Sequence, residues 1–166
     1  MENHWYAFYT RSRAEKKVWE YLNEREVKTF LPLMNVLKQW SDRKRWVKQV
    51  LIPGYVFVYA KEKELVSLLS IPNIVAILKV EGKPAIIPPE EIENLRIITS
   101  ETPNVQVLKN VDLEKGTPIE IIRGPLHGLK GYYLAPRGKN KIIVHFESLN
   151  NFIEVELRLS DIKKTT

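Results

Sequence analysis

Tryptophan and glycine lie in different parts of this chain, and their separation favours a fold with two parts. All four tryptophans lie in the first 46 residues, whereas five of the seven glycines lie in the last 51 of the 166 residues. A chain of this length accommodates two small domains, and the polar segment 101–113 between them has no regular pattern. We therefore expect a first domain at 1–100, a linker at 101–113 and a second domain at 114–166.

The first domain alternates strand and helix patterns. Strands are predicted at 4–10, at 29–40, within 46–60 and at 74–79, and helices at 13–26, 62–70 and 88–100. Pro32 interrupts the second strand, and Ser12 with Glu15 has the spacing of a capping box at the start of the first helix. This order predicts an α+β sandwich in which helices cover a mainly antiparallel sheet.

A Pro-Gly pair interrupts the apolar stretch LIPGYVFVYA at residues 51–60. Proline donates no backbone hydrogen bond and glycine tolerates unusual φ angles, so we expect the strand to begin only at Tyr55. Leu51, Ile52 and Tyr55 would then lie near an irregular edge of the sheet. Such an apolar edge either packs under another element or binds a partner.

The last third of the chain consists of short, closely spaced strand patterns. Apolar residues alternate through 142–146 and again through 153–159, and turns are predicted at 137–138 and 150–151. About 50 residues with strands this close together favour a five-stranded barrel.

Positive charge is concentrated in the first part of the chain. Residues 1–60 hold 11 Lys and Arg against 6 Asp and Glu, and so supply +5 of the net charge of +6. A charge imbalance of this kind favours contact with a polyanion, most often a nucleic acid.

The sequence contains no arrangement of residues typical of catalysis or metal binding. It has no cysteine, and its three histidines are isolated from one another. The glycines of GPLHGLKG match neither a dinucleotide fingerprint nor a phosphate-binding loop, and they suit tight turns between strands. We therefore expect no enzyme activity, no cofactor and no metal. The absence of a secretion signal or a membrane-spanning run makes the cytoplasm the expected location.

Two stretches of the chain resemble the NusG family of transcription elongation factors. WYAFYTRSRAEKKVWEYL followed by LIPGYVFV is similar to the family's N-terminal domain, and the segment from EKGTPIEIIRG to the end is similar to its C-terminal KOW domain. NEREVKTFLPLM and KPAIIPPEEIENL resemble the specialised RfaH-like paralogues, and FLPLMNVLKQWSDRKR resembles the UpxY-like paralogues. Where RfaH-like proteins carry a His-Thr-Thr element that contacts the polymerase gate loop, this chain has Ser67-Leu68-Leu69.

The resemblance implies that an aromatic and apolar patch docks on the clamp helices of the β′ subunit of bacterial RNA polymerase. Carried over by position, the patch comprises Trp5, Tyr6, Tyr9, Ile52, Tyr55 and Phe57. Tyr9, Ile52 and Tyr55 are expected to be exposed.

The resemblance also implies contacts with upstream or non-template DNA and with a protein partner. The DNA contacts would come from Arg11, Arg13, Lys17, Arg43, Lys44 and Arg45. In the KOW domain, Leu149, Asn151 and Phe152 would bind ribosomal protein S10 or termination factor Rho, with Leu149 as an exposed contact. RfaH-like proteins also refold this domain into a helical hairpin, whereas the alternation in 142–159 favours the barrel.

These expectations combine into a monomeric factor that suppresses pausing and promotes readthrough of terminators, specialised for particular operons. Two alternatives remain: a housekeeping NusG-type factor, and an RNA- or ribosome-binding module. In the second alternative, RNA would contact the basic residues of the second domain, which are Arg123, Lys130, Arg137, Lys139 and Lys141.

Overall fold

The computed structural model of the chain describes residues 2–100, 105–108, 111–112, 116–124, 126–133, 141–156 and 159–165. The fold is of the α+β class, as predicted. The chain divides into two units, Met1–Pro89 and Glu90–Thr166. The domain limits 1–100 and 114–166 stay a prediction.

An antiparallel sheet of four strands forms the centre of the first unit. Its order is β2 (Thr29–Phe30), β5 (Tyr55–Lys61), β1 (Asn3–Thr10) and β6 (Ile74–Ile77). The two central strands pair over their whole length, from Asn3 opposite Lys61 to Tyr9 opposite Tyr55. β5 begins at Tyr55, as the Pro-Gly pair predicts.

Helix α1 (Glu15–Glu24) covers one face of this sheet and buries Val18 and Leu22 against it. The capping box predicted at Ser12 and Glu15 is wrong. Ala14 is the N-cap residue and provides no side-chain hydrogen bond. The Glu15 carboxylate instead accepts a hydrogen bond from Gly54, 39 residues along the chain.

Strands β3 (Leu33–Gln39) and β4 (Lys44–Val50) form a separate two-stranded hairpin. Pro32 separates β3 from β2, as expected for a residue that lacks a backbone donor. A 3₁₀ turn (Glu62–Glu64) and helix α2 (Leu65–Leu68) follow β5, and a small hairpin pairs β7 (Lys79–Val80) with β8 (Lys83–Pro84).

The second unit combines helix α3 (Pro89–Ser100) with a sheet of six strands. In sheet order these are β14 (Ile162–Lys164), β10 (Thr117–Ile121), β11 (Lys130–Tyr133), β12 (Lys141–Phe146), β13 (Asn151–Glu156) and β9 (Val105–Leu108). The predicted turn at 150–151 is present, with Asn150 in the left-handed conformation at φ 49°. The turn predicted at 137–138 lies outside the described residues.

Three features of this sheet differ from the sequence expectations. Residues 105–108, inside the segment predicted to be a linker, form strand β9 and pair with β13. Alternation places Ile143 on the face of β12 opposite Ile142 and Val144, yet it is buried as they are and packs with Phe152, Leu108 and Val111. Gly131 allows close strand approach rather than a turn, because a Cβ atom there would lie 2.6 Å from the Ile143 carbonyl oxygen.

Candidate functional site

Alternation along the two central strands places five of their seven aromatic residues on the sheet face opposite α1. Trp5 pairs with Tyr59, Ala7 with Phe57, and Tyr9 with Tyr55. Since side chains of paired residues point to the same face, these six residues share a surface. We call this surface the aromatic face; it comprises Trp5, Ala7, Tyr9, Tyr55, Phe57 and Tyr59.

Tyr9 and Tyr55 form a half-buried pair at one end of the aromatic face. Their ring centroids are 4.8 Å apart and their planes are inclined by 42°. Burial raises the pKa of Tyr55 well above its ordinary value, and a hydrogen bond to Tyr9 raises it further. Tyr55 therefore stays protonated and serves as a hydrogen-bond donor next to an apolar ring surface.

Trp5 and Tyr59 form a second aromatic pair at the other end of the face. Their ring centroids are 5.2 Å apart. The Lys28 ammonium lies 4.5 Å from the Tyr59 ring centroid and 5.8 Å from that of Trp5. This cation–π arrangement holds the two rings in place and adds a positive charge to their edge.

The six residues predicted to bind polymerase do not form one exposed surface in the structure. Tyr6 lies on the opposite sheet face, where it packs in the core with Phe8, Val18 and Leu22. The prediction that Tyr6 and Trp5 lie in one patch is wrong, since consecutive strand residues point to opposite faces of the sheet. Trp5 and Phe57 lie on the aromatic face but are buried at 7% and 0% exposure.

Ile52, at 3% exposure, is also buried, so the predicted exposure of this residue is wrong. Tyr9 and Tyr55 retain partial exposure. Of the predicted patch, these two tyrosines present the accessible surface.

The Pro53-Gly54 turn is fixed by contacts with two other elements. Gly54 has φ 89°, a conformation that glycine adopts without strain. Its N–H donates to Oε1 of Glu15 at 3.0 Å, and its carbonyl accepts the Thr10 N–H at 2.9 Å. These two hydrogen bonds link the turn to the end of β1 and to the start of α1. They place Tyr55 opposite Tyr9.

The predicted DNA-binding residues fall into two groups, all of them exposed. Arg11 and Arg13 directly follow β1 at the end of the sheet that carries the tyrosine pair, and Lys17 lies in the first turn of α1. The Arg11 N–H donates to the Asn73 carbonyl at 2.9 Å, which fixes this segment next to β6. Arg43, Lys44 and Arg45 lie at the tip of the β3–β4 hairpin.

The residues predicted to bind S10 or Rho are buried. Leu149, Asn151 and Phe152 are 7%, 8% and 8% exposed, so the expected exposure of Leu149 is wrong. Phe152 stacks on His145 with ring centroids 4.5 Å apart.

Next to these residues, the first turn of α3 contacts the 3₁₀ turn Glu147–Leu149. The Ser148 N–H donates to Oε1 of Glu91 at 3.3 Å, while the buried Oε2 of Glu91 has no hydrogen-bond partner. Burial is the main reason that the pKa of Glu91 is raised.

Sequence reasoning missed several residues of these surfaces. Tyr59 shares the face of Tyr55 and Phe57, which the two-residue strand period would have revealed. Phe30 lies beside the aromatic face because β2 pairs with β5. Its ring centroid is 6.2 Å from that of Phe57. Trp46 is 63% exposed on the hairpin, and its position within a run of basic residues was the available signal.

Three further features concern metal binding, membrane crossing and the segment Ser67-Leu68-Leu69. Within the described residues, no group of three or more His, Cys, Asp or Glu side chains could hold a metal ion. No helix among those residues is long and apolar enough to cross a membrane. In Ser67-Leu68-Leu69, Leu68 is buried and the Ser67 hydroxyl donates to the Glu64 carbonyl at 2.8 Å. These side chains do not resemble the polar His-Thr-Thr element.

One family model and one solved structure agree with this architecture. A family model described as "Transcription termination factor nusG" matches residues 3–96. The solved structure of Thermotoga maritima NusG matches with a TM-score of 0.55 and 21% identity, over 100% of this chain and 99% of that one. The MjSpt4:Spt5 complex in conformation B matches with a TM-score of 0.33 and 22% identity, over 98% and 97% of the chains. No curated protein sequence matches the chain at a significant level.

Proposed function

The chain belongs to the NusG family, whose model covers residues 3–96, and from this premise we propose that it docks on the clamp helices of bacterial RNA polymerase through its aromatic face. Docked in this way, the protein suppresses pausing and promotes readthrough of terminators. Membership of the family makes it a transcription elongation factor. The docking residues, the antitermination activity and its restriction to particular operons are the proposed part.

The observation that carries this proposal is the half-buried Tyr9–Tyr55 pair. Large aromatic rings with a polar end are typical anchors of protein interfaces. The two rings contact each other at 4.8 Å and are fixed by the turn at Gly54. Such a fixed pair loses little conformational freedom on binding, which favours affinity.

The cations near this pair support a second contact, with upstream or non-template DNA. Arg11 and Arg13 lie one and three residues beyond the end of β1, which contributes Tyr9. A few phosphate contacts give modest, salt-dependent affinity on their own. Docking on polymerase raises the effective concentration of DNA at these side chains, so weak contacts become sufficient.

Partner recruitment by the second unit is a separate part of the proposal. Leu149, Asn151 and Phe152 are buried, so ribosomal protein S10 or Rho would bind them only after they are uncovered. Among the residues of the RNA-binding alternative, Lys141 forms an ion pair with Glu154 at 3.3 Å, which leaves less free charge for RNA. Arg137 and Lys139 lie outside the described residues.

The docking proposal is tested by binding the full chain to an isolated β′ clamp-helix hairpin. We expect Tyr55→Glu to weaken binding by at least about tenfold, since it places a charge in an aromatic contact. Val66→Glu is the matched control, because Val66 is 77% exposed in α2 of the same unit. Urea unfolding of each variant checks that the fold is retained, and Tyr55→Ala provides a second test without an added charge. Normal binding by both Tyr55 variants would contradict the proposed docking surface.

A further inference from the structure

Within the part of the chain that the structure describes, the β3–β4 hairpin pairs with no third strand. Its seven residue pairs run from Leu33 opposite Val50 to Gln39 opposite Lys44. The inner end is anchored, since Leu33 and Val50 pack against the core and the Lys48 carbonyl accepts a hydrogen bond from the Lys16 ammonium. From residue 37 to residue 46 every residue is exposed. The hairpin therefore presents a fixed ribbon with two accessible faces.

The net charge of this ribbon is strongly positive. The segment 33–50 contains five basic residues and a single acidic one, Asp42. The basic residues are Lys38, Arg43, Lys44, Arg45 and Lys48. This charge favours a polyanionic ligand over an apolar protein surface, because lysine is depleted at the centre of protein interfaces.

One face of the ribbon combines two of these cations with an exposed apolar pair. Trp46 lies opposite Leu37, and the two are 63% and 46% exposed. Lys44 and Lys48 lie two residues before and after Trp46, so alternation places both on its face, each about 7 Å along the strand. We call this surface the Trp46 face; it comprises Leu37, Lys44, Trp46 and Lys48.

We propose that the Trp46 face binds single-stranded DNA, with one base stacked on the Trp46 ring and neighbouring phosphates contacted by Lys44 and Lys48. An aromatic ring between cations is the arrangement that holds single strands without sequence preference. Duplex bases already stack on each other and offer no free face to the ring. The assignment to DNA rests on the proposed function, in which the displaced non-template strand is the available single strand. The stacking itself is independent of polymerase.

The test measures binding of the full chain to a fluorescently labelled 12-nucleotide DNA strand by anisotropy, at 50 and 200 mM salt. We expect Trp46→Ala to weaken binding by about tenfold, the loss of one stacked base, and Trp46→Phe to retain most of the affinity. Lys44→Gln with Lys48→Gln should lower the slope of log K against log salt by about 1.4, since each phosphate contact on a single strand contributes about 0.7.

Val66→Ala is the matched control for Trp46→Ala and should change neither affinity nor salt slope. Equal unfolding midpoints of wild type and Trp46→Ala in urea show that an affinity loss does not come from misfolding. Wild-type affinity in Trp46→Ala would overturn the stacking proposal. So would equally tight binding of a duplex of the same sequence, since phosphate contacts alone would then suffice.

Binding of an RNA strand of the same sequence tests whether the ligand of the Trp46 face is DNA or RNA. Tighter binding of RNA than of DNA, with the same dependence on Trp46, would overturn the assignment to DNA. Binding of Trp46→Ala to the clamp helices should equal wild type, so failure of this proposal is distinguishable from failure of the docking proposal.

Discussion

Glu15 shows how one side chain sets the geometry of a surface that it does not enter. Its carboxylate is buried at 7% exposure and accepts the Gly54 N–H at 3.0 Å. This hydrogen bond fixes the turn that brings Tyr55 opposite Tyr9. The pairing in the aromatic face therefore depends on a residue at the start of α1, on the other side of the sheet.

Removing this carboxylate should destabilise the first unit. We expect Glu15→Ala to lower the free energy of unfolding by about 1–2 kcal/mol, because the Gly54 N–H loses a charged acceptor in a partly buried position. Equilibrium urea unfolding measures the change. Glu20→Ala, at an exposed site of the same helix, should change stability by less than about 0.5 kcal/mol. Equal stability of the two variants would show that the Glu15 contact contributes nothing.

Residue patterns predicted part of this site and missed the rest for physical reasons. Pro53 and Gly54 restrict the backbone locally, so the start of β5 at Tyr55 was predictable. The separation of Tyr6 from Trp5 follows from the two-residue strand period and could have been recognised. The partner of Glu15 could not, since it lies 39 residues away in sequence and only the tertiary fold brings it close. The burial of Ile52 depends on tertiary packing in the same way.

At the scale of elements, strand patterns were more predictable than strand partners. The sequence indicated strands at 29–40 and within 46–60, whereas the structure divides the first into β2 and β3 and forms β4 from Lys44, ahead of β5. It did not indicate that β3 and β4 form a two-stranded hairpin separate from the main sheet, because pairing depends on contacts that a local pattern does not encode. The same reason explains β9, whose four residues become a strand through pairing with β13.

The contact between α3 and the turn Glu147–Leu149 predicts a pH dependence. Burial raises the pKa of Glu91 above its ordinary value of 4.5, with the Ser148 hydrogen bond opposing the shift. The folded state therefore holds this proton more tightly than the unfolded state, and stability falls as the pH rises from 4.5 through the folded-state pKa. Glu91→Gln keeps an acceptor for Ser148 without the charge, so it should remove this loss.

Urea unfolding of wild type and Glu91→Gln as a function of pH measures the effect. We expect the variant to be more stable than wild type at pH 7, with the difference shrinking as the pH falls towards 4.5. Glu90→Gln, at the exposed neighbouring position, should follow the wild-type profile. A Glu91→Gln profile parallel to wild type at every pH would rule out this proton as the cause.

At the scale of the whole molecule, the charge distribution and the fold support the same function. The aromatic face and the exposed cations of Arg11, Arg13 and the hairpin belong to the first unit, which the family model matches. The surplus of basic residues in positions 1–60 thus coincides with the unit proposed to contact polymerase and DNA. The second unit is nearly neutral and contributes Leu149, Asn151 and Phe152, which are proposed to bind a protein partner.

The central claim is that docking through the aromatic face changes transcription, and single-round transcription by purified bacterial RNA polymerase tests it most directly. The template carries a pause and a terminator, and wild type is compared with Tyr55→Glu and Val66→Glu. The account predicts shorter pauses and more readthrough with wild type and Val66→Glu, and neither effect with Tyr55→Glu. Equal readthrough with Tyr55→Glu and wild type, or no effect of wild type while it is bound to polymerase, would contradict it.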